Sequence, residues 1–260
     1  MKSKETQGRL WGRAPQDWTK LIEPAFIPLY RAALQKLNIN SNTVLLDAGC
    51  GSGLFLSMTP LDKTNVYGID ATPELMQLAK KRNPEGTFLI EDLEDIPYGD
   101  EYFDIVTGFN SFQFTGNRLS ALNQAKRVTK KGGYIAIAIW DEPRFSDAST
   151  VFASLASLLP APAAGAPGPY ALSADGALEN MASQAGLYLH HKEKINCPFL
   201  FTSKDELYRA FLCTGPAVKT IESIGEEKTR QVILRNSEPY RIADEIYFMN
   251  NQFKFFLFQK

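Results

Sequence analysis

A short apolar run, Val44-Leu45-Leu46, stops at Asp47-Ala48-Gly49-Cys50-Gly51-Ser52-Gly53, a turn with glycine at every second position. Glycine admits positive φ and carries no side chain, so such a turn can close tightly against a bound group. Two further short runs end in carboxylates. Val66-Tyr67-Gly68-Ile69 stops at Asp70, and Thr87-Phe88-Leu89-Ile90 stops at Glu91-Asp92. An acid at Asp70 is placed to accept from both hydroxyls of a ribose. A carboxylate at Glu91-Asp92 can accept from an adenine amino group, with Leu93 packed on the ring. Carboxylates at three successive strand ends, the first beside a glycine turn, fit a nucleoside better than they fit solvated charge.

Candidates for moving a proton are few. The chain has only two histidines, His190 and His191. Adjacent residues on a strand face opposite sides, so the pair cannot share a metal. Glu23, Asp141 and Tyr170 are the other groups that could serve as a base. Asp141-Glu142 follow the fifth apolar run without the further carboxylates and amide that a magnesium site needs, and no metal is expected. Cys50, Cys197 and Cys213 are scattered and odd in number, without CxxC spacing. That argues against a disulfide framework and fits a reducing cytoplasm.

The elements that must position these groups alternate. Leu54-Phe55-Leu56 opens a helix after the glycine turn, and Thr72-Pro73 supplies an N-cap and a first-turn proline for another. Phe103 to Thr107 is a fourth strand. Leu119, Leu122, Ala125 and Val128 mark a helix that Gly132-Gly133 should end, and Tyr134 to Trp140 is a fifth strand. Strands apolar on both faces predict a parallel, doubly wound α/β sheet. Outside 43–140, residues 15–37 read as a helix divided by Pro24 and Pro28. A Pro/Ala/Gly loop covers 161–169, a helix 173–186, a strand 187–199 and two helices 203–235. The tail 246–258 is strand-like, with a break at Asn250-Asn251.

At 260 residues the chain suits one α/β domain with an elaboration. Hydrophobic residues at 44% and charged ones at 22% exclude a disordered chain. The net charge of −1 offers no bulk attraction to nucleic acid or anionic lipid, so neither is an expected partner. The polar start lacks a signal-peptide core, and no apolar run approaches the roughly 20 residues of a membrane span. A cytoplasmic protein is expected, with its oligomeric state open.

Leu45 to Gly53, Gly68-Ile69-Asp70, Glu91-Asp92, Phe103-Asp104-Ile105-Val106 and Gly132-Gly133-Tyr134-Ile135 resemble, in order and spacing, the motifs of class I S-adenosylmethionine-dependent methyltransferases. The stretch, about 43–140, is most similar to the small-molecule branch that includes the ubiquinone and menaquinone biosynthesis C-methyltransferases. Trp11-Gly12-Arg13-Ala14, Asp17-Trp18 and Glu23-Pro24 resemble the opening of a bacterial subgroup of such enzymes. The resemblance implies a seven-stranded, mostly parallel Rossmann-like sheet with helices on both faces and helical lid elements. It implies S-adenosyl-L-methionine as cofactor and methyl transfer to oxygen, nitrogen or carbon of a small molecule. By that resemblance Gly49, Gly51 and Gly53 belong to the methionine and ribose side, Asp70 to the ribose hydroxyls, and Asp47 to the cofactor-binding residues. Ala71, Met76, Asp92 and Leu93 belong near adenine, and Phe109 and Asn110 beneath the sulfonium. An N-terminal segment lies over the cofactor in the resembled fold, so Trp11, Arg13 and Trp18 are lid candidates. Arg13 could pair with the methionine carboxylate.

There is one departure. Many relatives carry Leu-x-His after the fourth strand, where this chain has Phe112-Gln113-Phe114, and an obvious proton acceptor is missing. Phe112, Phe114, Trp140 and Tyr170 are the expected substrate-pocket residues. The phenylalanines suit core packing as well as an aromatic wall for a flat apolar acceptor, or a cation–π shield for the sulfonium. Methyl transfer needs mainly alignment and a dry site. A base, with Glu23 and Asp141 as candidates, is needed only if the acceptor must lose a proton. One domain, 1–260, is expected, with its cofactor core at 43–140 and lid or substrate elements at 1–40, 143–170 and 203–235. Two alternatives stay open. One is an NAD(P)-dependent oxidoreductase, although the turn reads G-x-G-x-G and not G-x-G-x-x-G. The other is a cofactor-binding protein without turnover.

Overall fold

Successive residues of the central strands enter opposite apolar layers. Leu45, Ile105, Ala136 and Phe255 join one buried cluster, while their neighbours Leu46, Val106, Ile135 and Phe256 join the other. Side chains alternate along a strand with period two, so a strand apolar at every position must be covered on both faces. The structure, a computed structural model, describes residues 3–161, 166 and 168–260. In the Pro/Ala/Gly loop expected at 161–169, residues 162–165 and 167 lie outside the described residues.

In chain order the elements begin with α1 (Ser3–Trp11), α2 (Pro15–Asp17), α3 (Ile27–Lys36), β1 (Leu45–Ala48), α4 (Leu54–Ser57) and β2 (Val66–Asp70). Next come α5 (Pro73–Arg82), β3 (Thr87–Ile90), β4 (Phe103–Phe109), α6 (Arg118–Val128), β5 (Thr129–Trp140) and α7 (Ala148–Ala156). The chain continues with α8 (Ala177–Gln184), β6 (Tyr188–Asn196), β7 (Phe199–Phe201), α9 (Lys204–Leu212) and α10 (Gly215–Ile224). It closes with α11 (Glu226–Ser237), β8 (Arg241–Ala243), β9 (Ile246–Met249) and β10 (Gln252–Gln259). The main sheet is seven-stranded, in the order β3-β2-β1-β4-β5-β10-β6. β1 to β5 pair in parallel, and β10 inserts antiparallel between β5 and β6. The expected mostly parallel, doubly wound sheet is therefore the observed one. Strand order reverses between β1 and β4, the place where open α/β sheets leave a crevice at their carboxyl ends.

Several local expectations need correction. The stretch 203–235 holds three helices, because Gly225 (φ +86°) ends α10 and α11 starts at once. Gly132-Gly133 do not stop α6. That helix ends at Val128 with Thr129 already extended, and Gly132 (φ +75°) makes a local turn further on. The expected strand 187–199 is β6, which stops at Asn196, and Phe199 already begins β7 in a different sheet. The tail breaks at Asn250-Asn251 as expected, and the break moves the chain from a three-stranded sheet, β7-β9-β8, into the main one. Asn251 holds this crossing: its Oδ1 accepts from Ser146 Oγ (2.9 Å) and the Ala148 N–H (3.1 Å). The 15–37 helix is divided as predicted, into α2, a π-turn at Trp18–Ile22, a 3₁₀ turn at Glu23–Phe26, and α3.

No apolar period marks an element in the polar N-terminal stretch, yet Ser3–Trp11 form α1 against the ends of β2 and β3. A Cβ at Gly8 would lie 2.4 Å from the Ala71 carbonyl oxygen, so glycine lets the helix touch the turn after β2. Among the described residues no helix is long and apolar enough to cross a membrane.

Candidate active site

A cavity of about 1130 Å³, mouth included, opens beyond the carboxyl ends of β1 to β5. Each strand delivers residues to it: Gly49 and Gly51 after β1, Asp70 and Ala71 at β2, Asp92 and Leu93 after β3. Phe109 and Asn110 come from the end of β4, and Trp140 from the end of β5. Of the lid candidates, Trp11 and Trp18 line it, as does Phe114. Trp11 stands edge-on to both Trp18 (5.2 Å) and Phe114 (5.3 Å).

One end of the cavity is polar. The Gly49 and Cys50 N–H groups donate to the Ile69 carbonyl (2.7 and 3.0 Å), which folds the glycine turn against β2. Gly49 has φ +85°, and a Cβ there would meet the Ser111 Cβ at 2.2 Å. Gly51 has φ +52°, and a Cβ there would meet only Trp18 Nε1, at 3.9 Å, so its surroundings stay open. The Asp70 carboxylate accepts from the Gly51 N–H and the Thr72 N–H, each at 2.9 Å. Burial raises its pKa, and those donors oppose the rise. Asp92 is already engaged on both oxygens, accepting from the Lys4 N–H (2.9 Å) and the Glu94 N–H (3.0 Å). Lys4 Nζ binds Glu91 (3.1 Å), so the start of α1 is tied to the end of β3.

Other predicted site residues sit behind the wall. Asp47 is buried, accepts from Thr107 Oγ1 (2.7 Å), and is pushed up to about 7 by burial. Gly53 (φ +74°) packs on Asn83 and Ala79, and Met76 is buried in the core beside them. Phe112 is wholly buried in the opposite layer, its ring under Gly108. Tyr170 stands behind Trp140, its ring 5.9 Å away and its hydroxyl on Ser146 (3.1 Å). Arg13 does not line the cavity and pairs instead with Glu226 at the start of α11.

The two base candidates are bound elsewhere. Glu23 is buried against Ser52 Oγ and Arg82 (3.0 Å). Desolvation raises its pKa, and Ser52 and Arg82 oppose that. Asp141 is fully buried between Lys254 (3.1 Å) and Lys194 (2.8 Å). Burial pushes it up, but Lys194, the Glu142 N–H and Lys254 outweigh burial and leave it below the usual carboxylate range. Neither lines the cavity. Both histidines lie on β6, and among the described residues no three His, Cys, Asp or Glu side chains group as a metal would require.

The other end of the cavity is aromatic, and most of it escaped the sequence reading. Phe26 and Tyr30 come from the divided N-terminal helix, Phe152 from α7, Phe199 from β7 and Phe211 from α9. The four-residue spacing of Phe26 and Tyr30 puts them on one helical face, a signal that was available. The other three meet only through the chain's path, and no local pattern marks them.

Residues 46–137 match the methyltransferase-domain family. The chain is 27% identical over 157 residues to a malonyl-[acyl-carrier protein] O-methyltransferase of Pectobacterium atrosepticum, covering 59% of this chain and 60% of that protein. It is 28% identical over 102 residues to a demethylmenaquinone methyltransferase of Thermotoga maritima, covering 39% and 44%. It is also 28% identical over 106 residues to a tRNA (carboxymethyluridine(34)-5-O)-methyltransferase of Arabidopsis thaliana, covering 40% and 25%. The chain thus spans less than two thirds of the length of these curated relatives. Among solved structures, a SAM-dependent methyltransferase from Aquifex aeolicus superposes with a TM-score of 0.51 at 19% identity, over 70% of this chain and 92% of that one. This likeness concerns the fold.

Proposed function

We propose, from the premise that residues 46–137 form a class I S-adenosylmethionine-dependent methyltransferase domain, that this chain moves a methyl group from S-adenosylmethionine to a small-molecule acceptor. The observation that carries this reading is one cavity with a polar end, lined by Gly49, Gly51, Asp70 and Asp92, and an aromatic end, with Phe109 and Asn110 lining it as well. The polar end suits the cofactor: Gly51 leaves its approach open, and Asp70 lines the cavity with its carboxylate held by the Gly51 and Thr72 N–H groups. When bound, S-adenosylmethionine supplies a methyl group already activated on a sulfonium. In this reading Asp70 holds the ribose hydroxyls, Ala71, Asp92 and Leu93 hold the adenine, and Phe109 and Asn110 face the reacting centre. Trp11 and Trp18 cover the cavity and exclude water. Glu23 and Asp141, each already bound to cations, act as structural anchors, and catalysis proceeds by alignment.

Incubation with methyl-labelled S-adenosylmethionine and a panel of phenols, amines and quinols, with bulk tRNA alongside, tests the proposal. Label in a small molecule is the expected outcome. Label in tRNA alone would overturn the acceptor class. Cofactor binding with no transfer across the panel would favour a binding protein, and NAD binding in place of S-adenosylmethionine would favour an oxidoreductase.

A further inference from the structure

The cavity divides by charge at the point where strand order reverses. Its charged lining residues are Lys4, Asp70, Glu91 and Asp92, all at the start of α1 or the ends of β2 and β3. On the β4 and β5 side the lining is aromatic. Tyr30 lies 5.1 Å from Phe109, Phe26 lies 6.3 Å from Phe199, and Trp140 lies 5.9 Å from both Phe199 and Phe152. A charged acceptor entering this chamber would lose its water and meet no opposite charge, a heavy cost in an apolar site.

The hydroxyls nearby are mostly committed. Ser111 donates to the Ala48 carbonyl (2.6 Å), Thr115 to Phe112 (2.9 Å) and Thr214 to Phe211 (2.7 Å). Tyr30 is different. It lines the cavity, is 8% exposed, and its hydroxyl makes no hydrogen bond among the described residues. The indole N–H of Trp140 is likewise uncommitted among the described residues, but Trp140 ends β5, one strand further from β1 than β4, whose Phe109 packs on Tyr30. Burial, with Glu23 and Asp47 nearby, pushes the Tyr30 phenol well above its usual pKa, so it stays protonated as a donor.

We propose that Tyr30 is the acceptor-positioning residue, donating a hydrogen bond to an oxygen of an uncharged aromatic acceptor held in the chamber beside Phe109. The proposal rests on the methyl-transfer reading of the same cavity. Tyr30 lines the cavity without a protein partner for its hydroxyl, so a ligand oxygen can take that donor in place of water, and the aromatic walls fit a planar ring. The hydroxyl orients the acceptor and takes no part in bond making.

Binding of three probes, naphthalene, 2-naphthol and 2-naphthoate, is measured by tryptophan fluorescence in the presence of S-adenosylhomocysteine. The expected order places 2-naphthol tightest, with 2-naphthoate at least tenfold weaker. Tyr30→Phe should remove a two- to tenfold preference for 2-naphthol over naphthalene while leaving S-adenosylhomocysteine affinity and Tm unchanged. A preference unaltered in Tyr30→Phe, or naphthoate binding as tightly as naphthol, would overturn the proposal. So would failure of all three probes to bind when S-adenosylhomocysteine does. Failure of S-adenosylhomocysteine itself to bind would instead sink the methyl-transfer reading.

Discussion

Asp70→Ala probes the nucleoside end of the cavity. In the free protein the Asp70 carboxylate fixes the Gly51 and Thr72 N–H groups at 2.9 Å each, and Asp70 lines the cavity end assigned to a ribose. Removing it deletes hydrogen bonds from a charged acceptor to two ribose hydroxyls. It also orphans the Gly51 N–H and that of the buried Thr72, so the fold of the variant is checked alongside its affinity. Hydrogen bonds of this kind are worth about 1–3 kcal/mol to a ligand, which corresponds to roughly 5- to 150-fold in Kd. Trp11 and Trp18 line the cavity, so their fluorescence reports titration with S-adenosylhomocysteine. Adenosine, which keeps the ribose and lacks the amino-acid part, should lose a similar factor. An affinity within twofold of wild type, in a variant with unchanged circular dichroism and Tm, would refute the assignment of Asp70 to the ribose.

Asp47→Asn should raise the Tm of the ligand-free protein at pH 8 and leave it unchanged near pH 4. Burial holds Asp47 at about 7, so the folded chain keeps a proton that the unfolded chain releases near the ordinary carboxylate value. Ionising it therefore costs stability as pH rises from about 4 to about 7, and asparagine keeps the acceptor for Thr107 without the charge. A pH-independent change in Tm would contradict this. Lys254→Met should destabilise the fold by up to about 3–5 kcal/mol at neutral pH in urea unfolding, since it strips a buried partner from Asp141. Lys194 remains and limits the loss. Because Asp141 sits below its ordinary value, its stabilising effect is present at neutral pH and lost as acid protonates it in the fold. The difference between variant and wild type should accordingly narrow in acid.

The polar half of the cavity was legible because its chemistry is local. Gly49, Gly51, Asp70 and Asp92 follow directly from strands whose apolar runs announce them, and in a parallel sheet all strand ends point to one side. Asp47, Phe112 and Asp141 show where this logic stops. Phe112 and Asp141 each stand beside a lining residue in sequence and Asp47 two positions before one, yet all three side chains are buried away from the cavity. A shift of one position along a strand reverses which layer a side chain enters, and the motif carries no mark of that choice.

By itself the sequence determined the alternating architecture, the cofactor-side turn and the near absence of histidine, since each rests on residue type and short-range spacing. Tertiary structure alone decided that the polar start becomes a helix tied to β3 through Lys4. It also decided that the tail changes sheets at Asn251, and that Phe26, Tyr30, Phe152, Phe199 and Phe211 converge on one chamber. These residues come from segments more than 180 positions apart in the chain, from 26 to 211. Their meeting depends on burying apolar surface that has no other partner, a global outcome that local periodicity does not encode.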